Sequence, residues 1–216
     1  MSFIEKIYNL ESLFEEDRAE PFVIKEGVGA VMVSAPHSVS QTRAGRIKQA
    51  EPQTGALALL LRENLKCPVI CKTANSGDDA NFDMVSSYKT ALAEYIKNNE
   101  IAFLLDLHQL SQKREIAIDI GTGRNKNLTD PDCLEIILKG FSDRSLGPIK
   151  IDEPFSGGTD RTVSSFIRSA CVIQCAQIEI NSRLVYGEGC EKTYESVYEA
   201  LESVIIGLNK YYGERK

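Results

Sequence analysis

The 216-residue chain has no tryptophan, three methionines and only two histidines, His37 and His108. It has no basic excess: 25 Lys and Arg face 31 Asp and Glu, a formal net charge of −6. Nucleic-acid binding wants a basic face, so that class of partner is not expected, although a local basic pocket for a small anion remains compatible with the balance. No apolar run approaches the ~20 residues of a membrane helix, and "MSFIEKIYNLESLFEEDRAE" lacks the apolar centre of a secretory signal. A cytoplasmic protein with no membrane partner is the expectation. Internal repeats, low-complexity stretches and Pro/Gly-rich linkers are missing too, so residues 1–216 read as one domain. Neither G-x-x-x-x-G-K-[ST] nor a strand-linked G-x-G-x-x-G occurs, which argues against a nucleotide site. There is no C-x-x-C. The six cysteines (67, 71, 133, 171, 175 and 190) read as small, reduced, buried side chains of an unexported chain.

What is present is an alternation of strand and helix signals. Strands are expected over residues 22–26 and 29–35, in "PVICKT" (68–73), "IAFLLDLH" (101–108), "REIAIDIGTG" (114–123) and "CVIQCAQIEIN" (171–181). Between them lie helix signals. "TGALALLLRENL" follows Pro52, and "MVSSYKTALAEYIKNN" carries Val85, Tyr88, Leu92 and Ile96 at helical spacing. "DPDCLEIILKGFSDRS" opens with Asp130 as N-cap and Pro131 in the first turn, and "EKTYESVYEALESVIIGLNKYY" is a long amphipathic segment. "ANSGDDANFD" (74–83) reads as a polar loop. This order predicts an α/β fold of three layers, a mostly parallel twisted sheet with helices on both faces. Ligands of such sheets bind at the carboxyl ends of the strands.

Both histidines stand at such ends. His37 follows "AVMVSA" and a proline, while His108 closes "IAFLLDL". Two neutral imidazoles and one carboxylate form the ligand set of a catalytic zinc, with a fourth position for water. Asp106, two residues before His108, projects to the same face of the strand and suits the acceptor of a ligand imidazole's second N–H. The third ligand should be acidic and near one histidine: Glu51, just before the helix signal at residue 54, is the candidate, with Asp78 or Asp79 in the polar loop as substitutes. In "VIQCAQIEIN", Gln177, Glu179 and Asn181 share a face opposite Ile178 and Ile180. A carboxylate late in a buried strand costs several kcal/mol unless it is paired or used in chemistry. The bland alternative for Glu179 is an ion pair with Arg161, Arg168 or Arg183.

"SAPHS", "LLDLHQLS", "IDIGTG", "PFSGGTD" and "QIEINSRLVYG", in this order between about residues 30 and 188, resemble the N-formylglutamate amidohydrolase family. More broadly they resemble the zinc carboxypeptidase-like hydrolases that include succinylglutamate desuccinylase and aspartoacylase. The resemblance implies a zinc carboxypeptidase-like fold holding Zn²⁺ or another divalent cation. Its ligands would be His37, Glu51 and His108, with Glu179 as the catalytic glutamate. The pattern departs in one place. The wider fold carries H-x-x-E, whereas here His37 is followed by "SVSQTRAGRIKQAE", an inserted basic stretch expected to lie over the site as an ordered loop. Val39 also replaces the family's glycine after P-H-S.

The implied activity is hydrolysis of the amide of a small N-acyl amino acid, N-formylglutamate-like, by a metal-activated water. Glu179 would take a proton and return it to the leaving amine. Arg183 is the first candidate for an oxyanion or carboxylate contact and Arg161 the second. Gly157 and Gly158 would allow close backbone approach to ligand, and Asn81 with Asn75 could contact it. Two alternatives stand beside this reading: a peptidase or deacylase acting on short peptides or polyglutamate, and a degenerate ligand-binding protein on the same scaffold.

Overall fold

The computed structural model describes residues 2–16 and 18–215. Among these, the strands are β1 (Phe22–Lys25), β2 (Val31–Ala35), β3 (Gln41–Arg43), β4 (Arg46–Lys48), β5 (Val69–Lys72), β6 (Phe103–Leu110), β7 (Ile118–Gly121), β8 (Ile149–Ile151) and β9 (Gln174–Asn181). The helices are α1 (Phe3–Glu11), α2 (Pro52–Leu65), α3 (Ser87–Asn98), α4 (Pro131–Ser142), α5 (Val163–Cys171) and α6 (Glu191–Gly213).

Seven strands form one sheet in the order β1-β5-β2-β6-β9-β7-β8. The four central strands, β5, β2, β6 and β9, are parallel, and their near-continuous apolar sequences suit burial on both faces. β1 joins one edge antiparallel to β5; β7 runs antiparallel to β9 and parallel to β8 at the other. Helices α1, α2, α4 and α6 pack over one face, on Val33, Leu105 and Ile178 among others. Helices α3 and α5 cover the other, on Met32, Leu104 and Cys175. This is the three-layer α/β architecture that the alternating signals predict.

Several boundaries differ from the sequence reading. The helix expected from residue 84 begins at Ser87, and Val85 is 83% exposed outside it. Cys171 closes α5 instead of opening the last strand. The stretch after His37, expected as an ordered loop, is built as the β3–β4 hairpin, turned at Ala44 and Gly45, both with positive φ. All six cysteines are free, five buried and Cys171 half-buried. No helix among the described residues is long and apolar enough to cross a membrane.

Candidate metal centre

Period-two alternation sets the site. On β6, Phe103, Leu105 and Leu107 point into the larger helical layer, so Leu104, Asp106 and His108 face the smaller one. On β9, Ala176, Ile178 and Ile180 take the first direction and Gln177, Glu179 and Asn181 the second. The β6–β9 register then sets Asp106 beside Gln177 and His108 beside Glu179. His37 sits in the turn after β2, where Ser38 Oγ donates to the carbonyls of Ala35 and Lys72. The Glu51 N–H donates to the His37 carbonyl at 2.7 Å, which closes the insertion and brings its two ends together.

Glu51 is the N-cap residue of α2, yet its side chain makes no capping bond. Pro52 supplies the first turn with a residue that lacks an N–H, so one backbone donor needs no partner there. The carboxylate turns across to the strand ends and accepts from the Gln109 N–H at 3.0 Å. His37, Glu51 and His108 are all buried, with one potential ligand atom from each lying within 4.8 Å of the others.

The separations suit one ion. His37 Nδ1 is 3.1 Å from His108 Nδ1 and 3.3 Å from Glu51 Oε1, and His108 Nδ1 is 3.8 Å from Glu51 Oε2. Two nitrogens bonded to a tetrahedral zinc at about 2.05 Å stand about 3.3 Å apart. The rings meet edge to face, with centroids 4.7 Å apart. Both Nδ1 atoms converge, and both Nε2 atoms turn outward to carboxylates: His37 Nε2 lies 2.9 Å from Asp79 Oδ1, and His108 Nε2 lies 3.1 Å from Asp106 Oδ2. Carboxylates behind ligand imidazoles fix the tautomer that leaves the inner nitrogen unprotonated for a metal.

The two alternatives for the acidic ligand are thereby corrected. Asp79 stands behind His37, and Asp78 forms an ion pair with the buried Lys72. Both are carried by a loop that also receives the hairpin: Asp79 Oδ2 accepts from Arg43 Nε at 2.7 Å, and the Thr42 N–H donates to the Asp78 carbonyl.

Electrostatics follow the geometry. Burial would lower the His37 pKa, but Glu51 and the hydrogen bond to Asp79 outweigh it, and the net shift is upward. Burial would raise Glu51, yet His37, Lys48 and His108 bring it down to about 2. Glu179 moves the other way: burial first, then the charge of Glu51, push its carboxyl well above the usual range. Gln177 Nε2 donates to Glu179 Oε1 at 2.7 Å. The carboxyls of Glu51 and Glu179 are thus pushed in opposite directions within one site, the arrangement that suits proton transfer.

The remaining candidates are engaged elsewhere. Arg183 donates to the carbonyls of Arg114 and Glu115 in the β6–β7 turn rather than to an acid. Arg161 packs its guanidinium 5.0 Å from the Phe82 ring centre, and Arg43 lies 5.2 Å from the same ring. Asn81 Oδ1 accepts the Val163 N–H at the start of α5. Asn75 Oδ1 accepts from Thr42 Oγ1 and the Gly77 N–H. Gly157 has φ +64, and a Cβ there would lie 3.1 Å from Gln177 Oε1; one on Gly158 would lie 2.9 Å from Gly123 Cα. Their requirement for glycine thus comes from protein packing.

The sequence reading set the basic stretch of Arg43, Arg46 and Lys48 over the site but named no partner for any of them. Lys48 Nζ lies 3.1 Å from His37 Nδ1 and 2.5 Å from Glu51 Oε1. From Lys48 and Glu51 an open groove of about 590 Å³ runs outward past Gln53, Gln109, Gln112 and Tyr186.

No family model matches the chain, and no curated protein does. Solved structures share its fold. N-formylglutamate amidohydrolase from Ralstonia eutropha superposes with a TM-score of 0.58 at 12% identity over 89% of this chain and 99% of that one. A bacteriophage poly-gamma-glutamate hydrolase gives a TM-score of 0.58 at 11% identity, over 97% and 96%. A metallo-carboxypeptidase from Pseudomonas aeruginosa gives 0.52 at 10% identity, over 96% and 68%. The chain therefore has the carboxypeptidase-like fold of these hydrolases, as its motifs imply.

Proposed function

We propose that the chain is a metal-dependent amidohydrolase that cleaves the amide of a small N-acyl amino acid of the N-formylglutamate type. The observation that carries this reading is the convergence of three buried ligand atoms, from His37, Glu51 and His108, within 4.8 Å, with Glu179 beside His108 on the adjacent strand. A divalent ion in such a set acidifies a water and polarises a carbonyl.

The chain's own groups supply the rest. Asp79 and Asp106 hold the imidazoles in the tautomer that offers Nδ1. Gln177 orients Glu179, and burial keeps that carboxyl basic enough to accept a proton and deliver it to the departing nitrogen. The sheet and the two helical layers exclude water from the far side of the cluster, so these charges act in a medium of low dielectric.

One observation favours the second reading, a peptidase or deacylase working on short peptides or polyglutamate. The groove beside Glu51 is larger than a single acyl amino acid requires, within the 300–1,000 Å³ typical of ligand pockets. A panel of N-formylglutamate, other N-acyl amino acids, short peptides and poly-γ-glutamate separates the two readings. Chelation should abolish turnover and added zinc restore it. A chain that hydrolyses its substrate equally well after complete metal removal would contradict the proposal.

A further inference from the structure

The insertion between His37 and Glu51 brings a cation to the ligand atoms. The β3–β4 hairpin is fixed at its base by Gln41, whose amide donates to the carbonyls of Val39 and Ser40. It is tied along its length to the 75–79 loop through Thr42 and Arg43. Lys48 ends β4, and its ammonium reaches His37 Nδ1 at 3.1 Å and Glu51 Oε1 at 2.5 Å. These are two of the atoms that face the proposed ion. A carboxylate oxygen has lone pairs for two partners, but an imidazole nitrogen has one, so Nδ1 serves either Lys48 or a metal. An ammonium and a dication a few Å apart also repel. Lys48 has somewhere to go: it lines the groove, and among the lining residues it is the sole base and Glu51 the sole acid. Beyond it the polar wall is neutral, made of glutamines, serines and Tyr186.

We propose that Lys48 is a specificity-determining residue that exchanges His37 for the substrate: the bound ion takes Nδ1, and the ammonium turns into the groove to grip a carboxylate beside the scissile amide. The proposal rests on the metal-dependent amidohydrolase reading and deepens it. It assigns to Lys48 the grip on the one carboxylate that stands close to the reacting amide, with a neutral, hydrogen-bonding wall beyond it.

The test compares wild type, Lys48→Met and Lys48→Gln, in two measurements. Zinc affinity is read by competition with a chelating indicator, and kcat and KM are read on N-formylglutamate and its α-carboxamide. Removing a charged competitor for Nδ1 should tighten zinc binding about tenfold or more, with one ion per chain retained. Losing the charge-assisted bond should raise KM for the carboxylate substrate about ten- to a hundredfold and leave the carboxamide nearly unchanged. Lys48→Gln, which keeps a polar head at the end of the strand, guards against a folding defect and should behave in the same way. If wild type takes up one ion but both variants match it in zinc affinity and in carboxylate preference, the role of Lys48 is overturned alone. If wild type takes up no ion, the metal-dependent reading falls with it.

Discussion

Asp79 offers a sharp test of how the centre is built, because it touches His37 only from behind. Its Oδ1 lies 2.9 Å from His37 Nε2 and accepts the Asn81 N–H, while Oδ2 accepts from Arg43. Asp79→Asn preserves volume and a neutral acceptor toward His37, so the imidazole keeps its orientation and loses the charged part of the bond. Charge-assisted hydrogen bonds are roughly twice as strong as neutral ones, and outer carboxylates are worth about 10- to 100-fold in metal affinity. Asp79→Asn should therefore lie near the lower figure, about tenfold. Asp79→Ala, which also frees the ring, should approach a hundredfold.

The deficit should depend on pH in a set direction. In wild type, Glu51 and Asp79 together hold the His37 pKa up against burial, so protons compete with metal at a higher pH than they would at an unperturbed histidine. Without the Asp79 charge that pKa falls back, and the variant loses less affinity on acidification. The gap between the two proteins should thus be widest at about pH 8 and narrow toward pH 6. Zinc titration against a chelating indicator across this range reads both effects. An Asp79→Asn affinity within twofold of wild type at the alkaline end, while His37→Ala abolishes binding, would refute the assigned role.

Three further outcomes follow from the same geometry. Glu179→Gln should lower kcat about 10²- to 10⁴-fold while one metal per chain is retained, measured by elemental analysis beside steady-state kinetics; a variant with wild-type kcat contradicts the proton-transfer role. Below the His37 pKa, wild-type zinc affinity should fall at least about tenfold per pH unit as the imidazole proton is displaced, with no added slope from Glu51, whose pKa is held down to about 2. A pH-independent affinity between about pH 5 and 7 would show that His37 is no ligand. Gly55→Ala would place a Cβ 2.6 Å from the Phe14 ring and from Ser38 Cβ. Overpacking of that kind costs about 1–3 kcal/mol, or roughly 2–4 °C of Tm per kcal/mol in a chain of this size, and an unchanged melting curve would show that the α2 contact yields easily.

The parts of this molecule that read out of the sequence are those decided within one element. The long apolar strands β6 and β9 are legible because both faces are covered, and period-two alternation correctly groups Asp106 with His108 and Gln177 with Glu179. The Asp130 cap and Pro131 start α4 as their chemistry predicts. Helix α5 escaped notice because "VSSFIRSAC" is short and serine-rich, and its cap at Thr162 lies in a stretch that reads as turn. The hairpin escaped because Ala44–Gly45 is a weak turn signal and the strands have three residues each. Its three cations, Arg43, Arg46 and Lys48, were visible as a basic run, but the acceptors of Arg43 and Lys48 are set by tertiary structure. Arg43 meets Asp79 across 36 positions, while Lys48 meets His37 only because the hairpin folds back. The same holds for Asp79, whose position 42 residues from His37 gives no hint that it stands behind the ring rather than at the ion. Arg183 misled for the opposite reason. Its proximity to Glu179 in sequence suggests a shared site, whereas the short helical turn at Ser182–Leu184 sends it to the β6–β7 backbone.

The most direct test of the centre is anomalous diffraction at the zinc edge from crystals grown with the ion. The account predicts one peak about 2.0–2.2 Å from the Nδ1 atoms of His37 and His108 and from a carboxylate oxygen of Glu51. A peak at the Nε2 atoms, a peak at another position, or no peak with zinc in excess would contradict it.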